Sequence, residues 1–251
     1  MKPLIDAFTL LTIVPLPFGS GNDSPPSRFA PLFFPVVGFI IGTFTALVYA
    51  LLNNPVSDDL AAAIALTATV LLTGGLHIDG LADFFDGLFG GRDKDSRLRI
   101  MKQSDIGAFG VIAVLMVVLF QWNGISQVYP THAWLVFPIV GAISRTAPLI
   151  VMLLTSYVSS SGLGSSYSNL PKPAILIVVL LVGASTFAYD GRFAIWAMSA
   201  GIVAASIVAL IAKRRIGGAN GDVYGASIEI SYAAALVFAV TFFDSRYVMT
   251  L

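Results

Sequence analysis

Long apolar runs without charge constrain this chain more than any other feature. Residues 32–52 give 21 consecutive uncharged positions and residues 193–212 give another 20. Each is long enough to cross the roughly 30 Å hydrocarbon core of a bilayer as a helix. Residues 60–76 and 173–189 supply shorter runs, and residues 107–122 another. Residues 133–155 carry a single charge, Arg145, and residues 226–243 carry Glu229. Inside lipid every backbone N–H and C=O must be satisfied within the segment, so runs of this kind are helices. The expectation is an all-α, polytopic integral membrane protein with about seven transmembrane helices. Residues 4–18 are apolar but broken by Pro15 and Pro17. They suit an N-terminal interfacial or partly inserted helix as well as a crossing. They lack the small-residue cleavage pattern of a secretory signal.

Composition supports a single membrane-embedded body over residues 1–251. Hydrophobic types make up 57% of the chain and charged types 11%, against about 25% charged in soluble domains. Fourteen basic and fourteen acidic residues cancel, which gives no electrostatic argument for nucleic acid. The absence of cysteine excludes disulfides, thiolate metal sites and cysteine nucleophiles. Two histidines, His77 and His132, are too few for an imidazole-based zinc centre.

Charge also predicts orientation. Seven spans put the N-terminus and the 77–106, 156–172 and 213–225 segments on one face. These segments hold 11 of the 14 basic residues, and an excess of Lys and Arg marks the cytoplasmic side. The Ser/Gly-rich stretch 156–168 reads as a loop, and Lys213, Arg214 and Arg215 as headgroup anchors.

The chemistry concentrates in residues 73–110, TGGLHIDGLADFFDGLFGGRDKDSRLRIMKQSDIGAFG. Asp79, Asp83 and Asp86 are four and three apart, which places them on one face of a helix. Three converging carboxylates repel one another unless a cation joins them. Magnesium takes one or two carboxylates together with phosphate oxygens. Asp93 and Asp95 are candidates for a second ion or for orienting the first. Arg92, Arg97, Arg99 and Lys102 bring positive charge suited to phosphate. Carboxylates with a metal beside basic side chains make the set that phosphoryl transfer needs. The neighbouring glycines would let a large substrate approach the backbone. His77 reads equally as a proton acceptor, a phosphate contact or a structural residue.

Three further polar features lie elsewhere. Arg145 and Glu229 inside apolar runs are costly, so each calls for an interior partner, a substrate phosphate, or a structural pair. The stretch 217–225, GGANGDVYG, offers Asn220 and Asp222 in a turn able to expose N–H groups and an oxygen ligand.

Taken together, these motifs resemble the cobalamin synthases, the adenosylcobinamide-GDP ribazoletransferases. The resemblance covers essentially the whole chain. It rests on TIVPLP at 12–17, FFPVVGFIIG at 33–42, TGGLHIDGLADFFDGLFGGRD at 73–93, RLRIMKQSDIGAFG at 97–110, the glycine-leucine-glycine triplet at 162–164, and GGANGDVYGA at 217–226. It implies a magnesium-dependent enzyme of the prokaryotic cytoplasmic (inner) membrane, its active-site loops facing the cytoplasm. An alcohol of α-ribazole, or of its 5′-phosphate, would attack the cobinamide-linked phosphorus of adenosylcobinamide-GDP and release GMP. By resemblance, Asp79, Asp83 and Asp86 bind the metal. Arg92, Arg97 and Lys102 hold the pyrophosphate, and Asn220 and Asp222 close the site, Asp222 as a further metal ligand. Arg145 is a further phosphate-binding candidate. Asp83, Asp86 and His77 are the catalytic candidates, with Asp83 as the base. The chain departs from the family at Gln103 and Asp105, where the family has an acid and a basic residue. It departs again at Ser160 and Ser161, in place of Ala-Arg. A homo-oligomer is compatible with this reading and not required by it. The alternatives are a phospholipid-type nucleotide-alcohol phosphotransferase and a membrane transporter. The aspartates lack the D-G-x-x-A-R pattern of the first, and no inverted repeat supports the second.

Overall fold

The computed structural model describes residues 1–16, 26–158, 167, 170–189 and 191–242. Its elements are ten α-helices: α1 Lys2–Leu11, α2 Phe34–Leu52, α3 Asp58–Leu72, α4 Leu76–Gly90, α5 Lys94–Ile100, α6 Ala108–Ser126, α7 Ala133–Leu154, α8 Lys172–Tyr189, α9 Gly191–Ile216 and α10 Gly221–Phe242. No strand occurs among the described residues.

All seven apolar runs fall on helices, but not every one of those helices is a full-length span. Five stretches are long and apolar enough to cross a membrane: Ala30–Leu52, Ala108–Ser126, Pro130–Leu154, Ile195–Ile216 and Gly221–Thr241. A sixth crossing exists if α3 and α4 count as one broken span, and Lys172–Ala188 in α8 is a shorter apolar helix. This is an all-helical, polytopic membrane protein. α1 has ten residues, about 15 Å of helix, half of what a crossing needs. Its Ala7 and Leu11 are buried with Phe34, Val37 and Ile41, as expected of a helix lying against the bundle.

The break after α3 has a local cause. Gly74 and Gly75 adopt φ of 62° and 70°, a left-handed conformation that side chains resist. The chain therefore turns by 87° into α4. The 77–106 segment, expected as an interhelical loop, is mostly helix for this reason: α4 followed by the short α5.

α7 forms the centre, packed on α2, α9 and α10 and buried at every position from Val136 to Val151. Lipid tails give no hydrophobic push between helices, so close backbone contact matters. A Cβ on Gly38 would overlap the Gly141 carbonyl, one on Gly141 the Gly38 carbonyl, and one on Gly42 that of Phe137. The FFPVVGFIIG motif is thus the α2 side of a glycine-lined crossing.

Four contacts gather the basic segments at one end of the bundle. Ile13 N–H donates to Leu72 O at 2.9 Å, just after α1. Asp86 of α4 receives N–H groups from the start of α6. Arg97 of α5 reaches the last turn of α9. Ser156 and Val158 pair with Ala219 before α10, in a short parallel bridge. The α5 cations and Lys213–Arg215 therefore share this end.

Candidate functional site

A cavity of about 410 Å³ opens at the same end. Among the predicted residues, His77, Asp79, Lys102, Asn220 and Asp222 line it. The junction of α4 and α10 builds it. A Cβ on Gly80 would sit 3.0 Å from Asp222 Cα, and one on Gly225 would sit 3.1 Å from the His77 carbonyl oxygen. Two glycines facing each other let the helices touch along their backbones. The first turn of α10, with Asp222, then lies against the acidic face of α4. Gly80 lines the cavity, and its missing side chain also makes room for α10.

The three α4 aspartates share a helical stripe but not an environment. Asp79 is exposed, Asp83 half-buried and Asp86 buried. Asp86 accepts from Gly107 N–H at 2.7 Å and Gly110 N–H at 2.8 Å, one to each carboxylate oxygen. It thereby satisfies two of the unpaired donors at the α6 N-terminus, where a negative charge is also favoured. A Cβ on Gly107 or Gly110 would overlap that carboxylate, which explains the glycine pair of the IGAFG segment. Asp83 lies within electrostatic reach of Asp222, Asp79 and Asp86, and does not line the cavity.

Across the cavity, Asn220 opens α10. Its Oδ1 accepts from Val223 N–H at 3.1 Å and its Nδ2 donates to Asp222 Oδ2 at 2.7 Å. The side chain thus caps the helix and fixes one Asp222 oxygen, leaving the other for a ligand. α10 also presents its positive N-terminal end to the cavity through Gly221, a favourable place for a phosphate.

The basic residues divide. Lys102 is exposed and lines the cavity; Arg92 is exposed and does not. Arg97 is buried, donating to Leu88 O at 3.4 Å, Arg215 O at 3.3 Å and Arg92 O at 3.1 Å. Its guanidinium ties the ends of α4 and α9 together, where C-terminal carbonyls lack intrahelical partners. Asp93 caps α5: its carboxylate accepts from Ser96 N–H at 2.8 Å, and Ser96 Oγ accepts from Asp93 N–H at 3.0 Å. These bonds hold the Asp93 carboxyl below its ordinary range. Gln103 and Asp105 are exposed, and Ser160, Ser161 and the 162–164 triplet lie outside the described residues.

Arg145 is in the bundle interior, away from this cavity. With Glu229, Gln121 and Tyr232 it lines a separate small hollow of about 20 Å³, room for roughly one water. Glu229 Oε2 accepts from Gln121 Nε2 at 2.7 Å, and its Oε1 lies 3.8 Å from His77 Nδ1. Arg145 donates to Ser144 Oγ at 2.9 Å. His77 stands between the hollow and the cavity and makes no hydrogen bond through either ring nitrogen.

Sequence reasoning missed three tyrosines on the cavity wall, Tyr157, Tyr167 and Tyr224. The Tyr157 and Tyr224 rings lie 6.2 Å apart at 24°. The Tyr157 phenol is pushed up by burial and then by the Asp222 carboxylate. Tyr224 belongs to the GDVYGA segment, but Tyr157 reaches it only through the bridge to Ala219, which no local pattern announces.

Among the described residues, no group of three or more histidine, aspartate or glutamate side chains is set to hold a metal ion by itself. Magnesium needs fewer: one or two carboxylates with substrate phosphate oxygens and water suffice. Asp79 and Asp222, facing one cavity from two helices, match that donor set.

An apolar helical bundle with carboxylates and a lysine around an open cavity at its basic end defines a membrane-embedded protein equipped for phosphate chemistry. The sequence profile described as cobalamin-5-phosphate synthase matches residues 3–240, and the chain belongs to that family. Relatives named adenosylcobinamide-GDP ribazoletransferase include one from Chlorobaculum tepidum, 34% identical over 95% of both chains. One from Syntrophobacter fumaroxidans is 36% identical over 89% of this chain and 92% of its own. One from Listeria monocytogenes is 34% identical over 94% of this chain and 96% of its own. No solved structure matches the chain significantly.

Proposed function

We infer that this enzyme transfers the cobinamide-phosphate group of adenosylcobinamide-GDP to a ribose hydroxyl of α-ribazole, or of its 5′-phosphate. The products are adenosylcobalamin, or its phosphate, and GMP. The observation that carries this reading for the site is the Gly80–Gly225 crossing, which brings Asp222 within electrostatic reach of Asp79 and Asp83, with Lys102 lining the same cavity as Asp79 and Asp222. Neither a transporter nor a lipid phosphotransferase accounts for membership of this family.

Asp79 and Asp222 would hold magnesium, which would supply positive charge to offset the negative phosphate oxygens and the departing GMP. Lys102 and the N-terminal end of α10 bind the remaining phosphate oxygens. Asp83, half-buried and within electrostatic reach of the Asp79 and Asp222 carboxylates, is the base assigned to the attacking hydroxyl, which must pass the cavity wall to reach it. The new bond joins the ribazole oxygen to the cobinamide-bearing phosphorus, and the bond from that phosphorus to the bridging pyrophosphate oxygen breaks. Asp86 and Arg97 act by position, fixing α6 and α9 around α4. His77 bounds the cavity floor. The enzyme would reside in the prokaryotic cytoplasmic membrane with the site facing the cytoplasm, since the cation-rich end of the bundle is the site end.

The test is turnover by the purified protein in detergent, given adenosylcobinamide-GDP and α-ribazole with magnesium or with EDTA. GMP and a cobalamin product, both lost in EDTA, are expected. Turnover that survives EDTA would remove the metal from the reading, and its absence in both would remove the reaction.

A further inference from the structure

The cavity wall carries both polar and apolar residues. Asp79, Lys102 and Asp222 account for phosphate and metal. The rest of the wall has a different character: Leu11, Phe34 and Met152 supply apolar surface, and the near-parallel rings of Tyr157 and Tyr224 supply a broad aromatic one. Of the three tyrosine hydroxyls in this part, one is buried without a partner. Tyr167 is 3% exposed and its hydroxyl has no hydrogen-bond partner. A buried donor left unpaired costs stability unless a ligand completes it.

We propose that this part of the cavity wall is the base subsite for the acceptor, with Tyr157 and Tyr224 as the stacking wall and the Tyr167 hydroxyl as the donor to the base. The proposal rests on the ribazoletransferase reading above. The base of α-ribazole is a methylated benzimidazole: flat, apolar at its edge, with a single free ring nitrogen that accepts one hydrogen bond. One aromatic wall, an apolar floor and one orphan hydroxyl match that inventory. Guanine, the other base in the reaction, presents two donors and an acceptor along one edge. Those groups would go unpaired against leucine, phenylalanine and methionine, at a cost that disfavours it there. The geometry also orders the reaction: with its base against Tyr157, which lies within electrostatic reach of Asp222, the acceptor has its ribose near the carboxylates. Tyr157 and Tyr224 then decide which acceptor bases the enzyme accepts.

Two measurements on the purified, detergent-solubilised protein test this. The first is calorimetric binding of α-ribazole alone, which needs no turnover. Aromatic stacking of a base implies a loss of about 10-fold or more in affinity when the ring is removed, so Tyr157→Leu should weaken binding by at least that factor. Tyr157→Phe, which keeps the ring, should recover most of the affinity, and Tyr167→Phe should weaken binding through loss of the hydroxyl alone. The second is steady-state kinetics with each substrate varied in turn. Tyr157→Leu should raise KM for α-ribazole and leave KM for adenosylcobinamide-GDP near its wild-type value. Tyr224→Leu provides the same reading from the other ring should one variant fail to fold. Unchanged α-ribazole affinity in folded Leu variants would overturn the proposal, as would a rise confined to the KM of the GDP-linked donor. No α-ribazole binding to wild-type protein would also overturn it. Absent turnover in wild-type protein that still binds α-ribazole through Tyr157 would count against the reaction and not against the subsite.

Discussion

Asp83 and Asp86 lie three residues apart on one helix and take opposite roles. Asp86 spends both oxygens on the Gly107 and Gly110 N–H groups. Hydrogen bonds to a charged group contribute about 1.5–3 kcal/mol each. Asp86→Ala should therefore cost about 3 kcal/mol and lower Tm clearly, as the start of α6 comes loose. Asp86→Asn should also destabilise, because its NH2 group would face a backbone donor. Asp83→Asn touches no such bond and should abolish turnover with Tm almost unchanged. Thermal unfolding and GMP release measured on the same preparations separate the two. Equal loss of activity without loss of stability in both variants would return Asp86 to the chemistry. The four-and-three spacing showed that the aspartates share a face. It could not show their depth, because that depends on where α6 docks, 21 residues further along the chain. The same holds for Arg97: its type suggested phosphate, and one of the three carbonyls it is buried against, that of Arg215, comes from α9, 118 residues away.

At the scale of helices, composition was a good guide wherever a run was long and apolar, and a poorer one where glycine intervened. The runs behind α2, α6, α7, α9 and α10 were legible because lipid permits little else. The right-angle turn at Gly74 and Gly75 was not, since glycine pairs permit a bend without requiring one. The meaning of Gly80 and Gly225 was likewise hidden until α4 and α10 were seen in contact. That crossing sets the distance between Asp79 and Asp222, so it carries a prediction. Gly80→Val adds bulk where even a Cβ would be 3.0 Å from Asp222 Cα, and α10 must move outward. A displacement near 1 Å can cost about 100-fold in rate, and kcat should fall by that order. The concentration of magnesium needed for half-maximal rate should rise with it, because the two carboxylates proposed to share an ion would be drawn apart. A variant with normal kcat and normal magnesium dependence would show that the crossing does not set the site.

At the scale of the whole molecule, sequence charge and helix packing converge on one surface. The basic residues Lys94–Lys102 and Lys213–Arg215 lie far apart along the chain, yet contacts bring them to the end where the cavity opens. One arrangement thereby meets two demands. Cations on a single face fix the direction of insertion, and the same face must receive a donor with a charged pyrophosphate, which does not cross lipid unaided. The site end should therefore be cytoplasmic, and the natural absence of cysteine makes this directly measurable. Gln103→Cys places a thiol at an exposed position beside Lys102, between α5 and α6. Thr131→Cys places one at an exposed position between α6 and α7, at the far end of α6. A membrane-impermeant maleimide added to intact cells should label Thr131→Cys and spare Gln103→Cys. Inverted membrane vesicles should give the reverse. Labelling of both from one side would mean that α6 does not cross the membrane. Labelling of Gln103→Cys alone in intact cells would put the cavity outside, where a nucleotide-linked donor made in the cytoplasm could not reach it.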